Sequence, residues 1–152
     1  MDMEHTFVLL KPDAVFRHCI GTIIQRIESK GLKITALRMR MLAPETAEKL
    51  YAVHKDKYFF KRLMNFITSG PVVGIVIAGP SAIEAVRNLV GPTHGKDAAA
   101  GTIRGDLGMH QTMNLIHASD SSESAAYERE VFFGDESSLD YTFPDESLIY
   151  GN

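Results

Sequence analysis

The order of apolar segments in this chain of 152 residues predicts an α+β fold, with a four-stranded antiparallel sheet and helices on one face. Four short apolar runs have the length of strands, and segments with helical periodicity lie between them. The elements follow in the order β-α-β, a helical insert and β-α-β-α, which matches the ferredoxin-like βαββαβ arrangement. A doubly wound parallel sheet is disfavoured, because four strands and an inserted helix pair leave too few crossovers.

The four predicted strands carry different patterns. Residues 6–10 (TFVLL) and 72–78 (VVGIVIA) are continuous apolar runs, which are typical of buried strands. Residues 32–41 alternate between apolar and polar side chains, with a slip in phase near Ala36 and Leu37. Residues 114–118 (NLIHA) give the fourth strand.

Three helices are predicted from periodicity and end signals. Isoleucines at positions 20, 23, 24 and 27 have the spacing of one helix face, and Gly31 follows where a helix end favours glycine. Pro44 stands at a first helical position and opens a short helix that carries Tyr51. Residues 59–67 place several apolar side chains on one face of the next helix.

Two more helix starts are indicated by residue pairs with the spacing of a capping box, Ser81 with Glu84 and Asp120 with Glu123. Residues 91–113 show no sustained periodicity. A structureless loop of this length inside a compact domain is usually functional or disordered.

The length fits a single domain over residues 1–152. Positions 134–152 hold five acidic residues and no lysine or arginine, which indicates an acidic C-terminal arm whose acids are solvated. The other positions carry 16 basic against 14 acidic residues without a basic patch, so no specific nucleic acid is expected as a partner.

The N-terminus lacks a secretory signal, and the longest apolar run is too short to span a bilayer. One cysteine, Cys19, rules out an intramolecular disulfide and is compatible with a reducing compartment. We therefore expect a cytoplasmic protein without a membrane partner.

Several common sites are excluded by spacing. The glycine-containing run at 91–97 (GPTHGKD) lacks the Walker spacing, and the six histidines show no zinc-binding pattern. His117 remains as a candidate, because it follows an apolar strand and Glu128 lies one strand-to-helix reversal away. A carboxylate on one ring nitrogen would fix the tautomer and make the other nitrogen more nucleophilic. The alternative is a histidine satisfied by a backbone carbonyl at a strand end.

Cations and hydroxyl groups are expected near this histidine. Arg87 lies near the end of a helix, and the long loop that follows contributes Thr93 and Arg104. Such a set around a nucleophilic histidine indicates phosphoryl transfer, where positioning and charge neutralisation supply most of the catalysis.

Three motifs resemble the nucleoside diphosphate kinase family: TFVLLKPDAV near the start, GTIRGD at 101–106 and NLIHASDS at 114–121. The resemblance extends over roughly residues 4 to 143. It implies a ping-pong reaction, in which the γ-phosphate of a triphosphate such as ATP moves to His117 and then to GDP, CDP, UDP or a deoxynucleoside diphosphate. This reaction maintains the pools of NTPs and dNTPs. The resemblance also implies a homo-oligomer, typically a hexamer, alternatively a tetramer or dimer.

The same resemblance implies the catalytic roles. His117 would attack through Nδ1, with Glu128 orienting the imidazole and Ser119 supporting it. Lys11 and Asn114 would contact the ribose 3′-hydroxyl, and Lys11 also the transferring phosphate.

It further implies how a nucleotide is held. Tyr51 would pack beside the histidine, Phe59 would stack on the base, and Arg87, Thr93 and Arg104 would hold the β- and γ-phosphates. Mg²⁺ would arrive bridging the phosphates, so no side chain is expected as a direct metal ligand.

Other interpretations of these residues stay open at this stage. Phe59 could belong to the core, Tyr51 and Arg87 to a helix surface, and Lys11 could end a strand. At the level of the whole protein, a binding module that kept the nucleotide cleft but lost the chemistry is the competing hypothesis. The chain departs from the usual family pattern at Ala14, Lys57–Phe60, His94–Gly95, Met113 and Ala118.

Overall fold

The computed structural model describes residues 2–136 and 138–151. Its strands are β1 (Glu4–Leu10), β2 (Lys33–Arg40), β3 (Val72–Gly79) and β4 (Ile116–Ala118). Its helices are α1 (Pro12–Phe16), α2 (Ile20–Ser29), α3 (Pro44–Leu50), α4 (Phe60–Ile67), α5 (Ala82–Val90), α6 (Ile103–Leu107), α7 (Ser122–Phe133) and α8 (Glu146–Tyr150). Single turns of 3-10 helix occur at Ala52–His54 and Gly95–Asp97. Within the described ranges, no helix has the length and apolar character needed to cross a membrane.

The strands form one antiparallel sheet in the order β2-β3-β1-β4, which confirms the predicted fold class. Strand β1 lies inside the sheet, pairs with β3 over its whole length and pairs with β4 through its last three residues. This register places Leu9 opposite His117. The register of β2 against β3 shifts between Ile34 and Ala36, a bulge that accounts for the slip in phase seen in the sequence.

Two apolar cores lie on opposite faces of the sheet because side chains of β1 alternate between them. Val8 and Leu10 pack with α2 and α5, which are the helices expected on one face. Phe7 and Leu9 pack with α3, α4 and the end of α7, so the helical insert covers the other face. His117 lies where the end of β1 pairs with β4, next to Tyr51 of the helical insert.

The predicted capping box at the start of α5 is wrong. Ser81 adopts a left-handed conformation with φ of 50°, and its side chain makes no capping hydrogen bond. The Oε1 atom of Glu4 accepts from the backbone amide of Ile83 at 2.8 Å instead. A carboxylate from β1 therefore caps the N-terminus of α5, the role that we expected of Ser81 and Glu84.

The start of α7 also differs from the prediction by one residue. Ser121, not Asp120, is the N-cap, and its Oγ accepts from the backbone amide of Ser124 at 3.1 Å. The hydroxyl of Ser121 occupies the capping position that was assigned to the pair Asp120 and Glu123.

The segment before β4 is more structured than the sequence indicated. Residues 91–113 contain a 3-10 turn and α6, whereas we expected no regular structure there. The fourth strand is shorter than predicted, because Leu115 has a φ of 75° and the Ile116 amide donates to the Asn114 carbonyl at 2.9 Å. This is a γ-turn, a strained conformation for a residue other than glycine.

The C-terminal arm follows β2, apart from positions 137 and 152, which lie outside the described residues. The Leu139 amide donates to the Thr35 carbonyl at 2.8 Å, and the Lys33 ammonium donates to the Tyr141 carbonyl. Lys33 is 5% exposed and pairs with Glu146 at 2.5 Å. Glu146 is therefore ion-paired to a buried lysine, while 27% of its side chain stays exposed to solvent.

Candidate active site

His117 and Glu128 meet where β4 leads into α7. The Nε2 atom of His117 contacts the Oε1 atom of Glu128, and the Ser119 hydroxyl donates to the same oxygen at 3.2 Å. The side chain of Glu128 is 8% exposed, whereas that of His117 is 26% exposed. A buried carboxylate thus engages one ring nitrogen of a histidine that is partly open to solvent.

Tyr51 packs against the other side of this histidine. It is the residue that ends α3 as its C-cap, and it is buried rather than placed on a helix surface. The centroids of its ring and the His117 ring are 5.5 Å apart in an edge-on arrangement. Burial raises the pKa of the Tyr51 hydroxyl, and the charge of Glu128 raises it further. In the described part of the chain this hydroxyl is buried without a hydrogen-bond partner, which leaves it able to donate to a ligand or to water.

Lys11, just after β1, and Asn114, just before β4, form a buried pair. The Lys11 ammonium donates to Oδ1 of Asn114 at 2.7 Å, although the two residues are 103 positions apart. The amide of Asn114 in turn donates to the Thr93 carbonyl at 2.8 Å. Burial, helped by the charge of Arg104, lowers the pKa of Lys11 from 10.5 to about 7.

Two arginines bring positive charge to β4. Arg104 is buried and donates to the carbonyls of Gly91 at 3.0 Å, Asn114 at 3.3 Å and Ile116. Burial, helped by the charge of Arg87, lowers its pKa to about 10. Arg87 is itself exposed and donates to the Ala118 carbonyl at 3.0 Å. These contacts hold both guanidinium groups beside the strand that carries His117.

Thr93 and Phe59 lie at the edges of this group. Thr93 is exposed, and its backbone carbonyl rather than its hydroxyl makes the contact with Asn114. Phe59 is half-buried at the start of α4, and its ring centroid is 5.6 Å from that of His54. His54 stacks on Tyr51 with a centroid separation of 6.5 Å. Phe59 is therefore connected to the histidine through two other rings.

Sequence reasoning missed two residues that shape the site. Asp13 accepts from the Leu115 amide at 3.0 Å through Oδ2, while the Lys11 amide donates to the Leu115 carbonyl at 2.8 Å. The γ-turn before the histidine is thus held on both sides by the KPD segment. Burial raises the pKa of Asp13 and lowers that of His54, the second missed residue. Asp13 belongs to a quoted motif, whereas no local signal marks His54.

The donor set suits a nucleotide better than a caged metal ion. Among the described residues, no group of three or more His, Cys, Asp or Glu side chains could hold a metal. Arg87 and Arg104 contact backbone carbonyls of β4, the strand that carries a histidine with one nitrogen engaged by a carboxylate. Such a site can accept a phosphoryl group and neutralise its charge.

The protein-family model for nucleoside diphosphate kinase matches residues 4–138 of this chain. The enzyme of that name from Hyperthermus butylicus is 56% identical over 90% of this chain and 96% of its own length. The one from Archaeoglobus fulgidus is 50% identical over 97% and 98% of the two chains. A halophilic nucleoside diphosphate kinase from Halobacterium salinarum, solved in complex with CDP, superposes with a TM-score of 0.94 at 43% identity, and 98% and 99% of the two chains are covered.

These matches extend over nearly the whole chain and agree with the motifs and the sheet topology. The enzymes concerned move the γ-phosphate of a nucleoside triphosphate to a nucleoside diphosphate by a ping-pong mechanism through a phosphohistidine. The chain belongs to the nucleoside diphosphate kinase family and has this phosphotransferase activity.

Proposed function

We propose that His117 is the nucleophile of this transfer and that it attacks through Nδ1. The observation that carries the proposal is the contact of its Nε2 with the buried carboxylate of Glu128. A neutral imidazole that donates its Nε2 proton to a carboxylate keeps its lone pair on Nδ1. The Ser119 hydroxyl donates to the same carboxylate and keeps it in place.

In the first half-reaction the Nδ1 lone pair forms a bond to the γ-phosphorus. The bond from that phosphorus to the bridging oxygen breaks, and the nucleoside diphosphate leaves with the electron pair. The Nε2 proton stays on the ring, whose new positive charge is balanced by Glu128. In the second half-reaction a terminal oxygen of another diphosphate forms a bond to the phosphorus of the phosphohistidine. The bond from that phosphorus to Nδ1 breaks, its electron pair returns to Nδ1, and the imidazole is neutral again.

We infer that the buried Lys11–Asn114 pair contacts the ribose 3′-hydroxyl and that Lys11 also contacts the transferring phosphate. The negative charge of bound phosphates favours the ammonium form of Lys11, whose pKa in the unliganded fold is about 7. Tyr51 packs against the histidine and carries a buried hydroxyl that can donate to the γ-phosphate region.

The β- and γ-phosphates are assigned to Arg87, Thr93 and Arg104. Arg104 uses three of its five N–H groups on backbone carbonyls, so that two remain for a phosphate. Phe59 is assigned to the base, because a half-buried ring can stack on any nucleobase without reading its edges. We therefore expect ATP as a donor and GDP, CDP, UDP and dNDPs as acceptors.

We propose that Mg²⁺ arrives with the nucleotide. The carboxylate nearest the histidine, that of Glu128, already accepts from Ser119 and contacts the ring. The site therefore offers cations and hydroxyl groups to a phosphate chain whose own oxygens bind the metal, which neutralises charge on the transferring group.

We also infer a homo-oligomer, with the outer edge of β2 as the contact. Beyond the contacts that Lys33 and Thr35 make with the arm, Leu37 and Met39 on this edge strand and Met41 just after it are each at least half exposed. An open apolar edge of this kind is a template for pairing with a second strand. A hexamer is expected, with a tetramer or dimer as alternatives. Light scattering of the parent chain and of Met39→Glu tests the contact, because the variant should be smaller.

A cytoplasmic location is inferred from Cys19, which is buried as a free thiol. Cell fractionation tests this location.

Labelling with γ-³²P ATP tests the proposed nucleophile. The parent chain should form a phosphoenzyme that is stable to alkali and labile to acid, and His117→Ala should form none. His5→Ala, which removes an exposed histidine on β1, is the matched control and should label normally. A parent chain that binds nucleotide but takes up no label would instead support the binding module, and a labelled His117→Ala variant would exclude His117.

A further inference from the structure

The imidazole of His110 accepts two backbone hydrogen bonds in the turn that leads to the site. Its Nδ1 atom accepts from the amide of Thr112 at 2.9 Å and from the amide of Met113 at 3.1 Å. Asparagine and aspartate make contacts of this kind in tight turns, through an oxygen at the same position along the side chain. Nδ1 accepts only with a lone pair, so the ring is neutral and carries its proton on Nε2.

Each amide that His110 binds shares a planar peptide unit with a carbonyl. The Gln111 carbonyl belongs to the unit that ends in the Thr112 amide, and the Thr112 carbonyl to the unit that ends in the Met113 amide. In a trans peptide the carbonyl and the amide point in opposite directions. An acceptor that fixes both amides therefore fixes the direction of both carbonyls.

Both of these carbonyls hold side chains of the proposed site. The Gln111 carbonyl accepts from Nδ2 of Asn114 at 2.9 Å, and the Thr112 carbonyl accepts from the Lys11 ammonium at 3.3 Å. Lys11 and Asn114 are also bonded to each other. The direction of two consecutive peptide planes thus sets the position of the buried pair.

We propose that His110 is a positioning residue for phosphoryl transfer, acting through the peptide planes whose carbonyls hold Lys11 and Asn114. The inference rests on the proposed function, because it assumes that this pair meets the ribose 3′-hydroxyl and the transferring phosphate. His110 is exposed, so its removal leaves the apolar core intact. Loss of two hydrogen bonds between neutral groups is expected to slow phosphorylation of the enzyme about 5- to 150-fold.

Three variants separate this role from a general structural one. His110→Ala removes the acceptor, whereas His110→Asn keeps an acceptor atom where Nδ1 was. His5→Ala removes an exposed histidine outside the turn and serves as the control. The rate of phosphoenzyme formation is measured with ATP and with 3′-deoxy-ATP, which lacks the hydroxyl that the positioned pair would contact.

With ATP, His110→Ala should form the phosphoenzyme more slowly than the parent chain, by the factor stated above. The rates of His110→Asn and His5→Ala should stay within about twofold of the parent rate. With 3′-deoxy-ATP, the loss in His110→Ala should be smaller, since that substrate does not use the contact. An equal loss with both substrates, or no recovery in His110→Asn, overturns the inference while the phosphoenzyme of the parent chain still upholds the proposed function. A parent chain that forms no phosphoenzyme overturns both.

A measurement on the parent chain keeps the inference testable if His110→Ala does not fold. In NMR spectra of the parent chain, couplings across the hydrogen bonds should connect Nδ1 of His110 with the amide nitrogens of Thr112 and Met113. A parent chain in which neither coupling is present overturns the inference.

Discussion

Replacing Lys11 with methionine is expected to make the folded protein more stable at pH 7. Burial and the charge of Arg104 lower the pKa of the Lys11 ammonium from 10.5 to about 7. Holding this ammonium charged in the fold therefore costs about 5 kcal/mol, and about 4 kcal/mol at pH 7, where about half of the molecules carry the charge.

Lys11→Met also removes a contact that stabilises the folded protein. The Oδ1 atom of Asn114, a residue only 2% exposed, loses the donor that contacts it. A buried acceptor without a partner costs about 1–3 kcal/mol, so Lys11→Met should be more stable than the parent chain by about 1–3 kcal/mol at pH 7.

The sign of this difference should change with pH. A lysine whose pKa is lowered in the fold destabilises the folded state fully below the folded pKa, and this penalty disappears as the pH rises toward 10.5. Near pH 10 the remaining penalty is about 1 kcal/mol, which is smaller than the typical cost of the unpaired Asn114. The variant should then be less stable than the parent chain, by about 1 kcal/mol.

Urea unfolding followed by circular dichroism at pH 7 and pH 10, at one protein concentration, measures both differences. Lys61→Met, at an exposed position on α4, is the matched control and should leave stability almost unchanged at both pH values. The reasoning is refuted if Lys11→Met is less stable than the parent chain at pH 7, or if the difference does not vary with pH.

Three further outcomes are expected. Glu128→Ala should slow phosphoenzyme formation about 10- to 100-fold in rapid-quench assays, as the loss of a carboxylate that orients a histidine does elsewhere, whereas Glu130→Ala on the same helix should not. Gly74→Ala should lower the free energy of unfolding by about 1–3 kcal/mol, because its Cβ would overlap the buried ring of Phe132. Gly21→Ala, in open space on α2, should raise the free energy of unfolding by about 0.5–1 kcal/mol. The hydrogen bond from Lys33 lowers the pKa of Glu146, so docking of the arm should weaken as the pH falls through that lowered value. The amides of residues 139–150 should therefore lose protection against hydrogen exchange at low pH in the parent chain, but not in Glu146→Gln.

Local patterns predicted the strands and the longer helices, because burial on one face leaves a period in the sequence. The errors occurred where a distant residue decides the local structure. The N-terminus of α5 is capped by Glu4, which is 79 positions away from its partner Ile83. Helix α6 has five residues, too few to show a period, and Arg104 ties it to three carbonyls outside the helix.

Sequence motifs predicted which residues form the candidate site, but they did not predict how these residues are arranged in space. Nothing local indicates that Lys11 and Asn114 form a pair, since the sheet order alone brings β1 beside β4. Leu115 has a positive φ although it lies in a run whose composition is that of a strand. Asp13 accepts from its amide, a contact between residues that are far apart in the sequence. These features depend on the backbone path, which composition and spacing do not encode.

The C-terminal arm determines when the first half of β2 is covered during synthesis. Lys33 is 108 positions from Tyr141 and 113 from Glu146, so the first half of β2 emerges from the ribosome long before the arm that covers it. Contacts this distant in sequence form late, since a long loop must close first. A nascent chain therefore leaves the first half of β2 uncovered for several seconds at typical rates of synthesis, about 5–20 residues per second. Self-association of incomplete chains through this half of the strand is the hazard of this order, and docking of the arm ends it there.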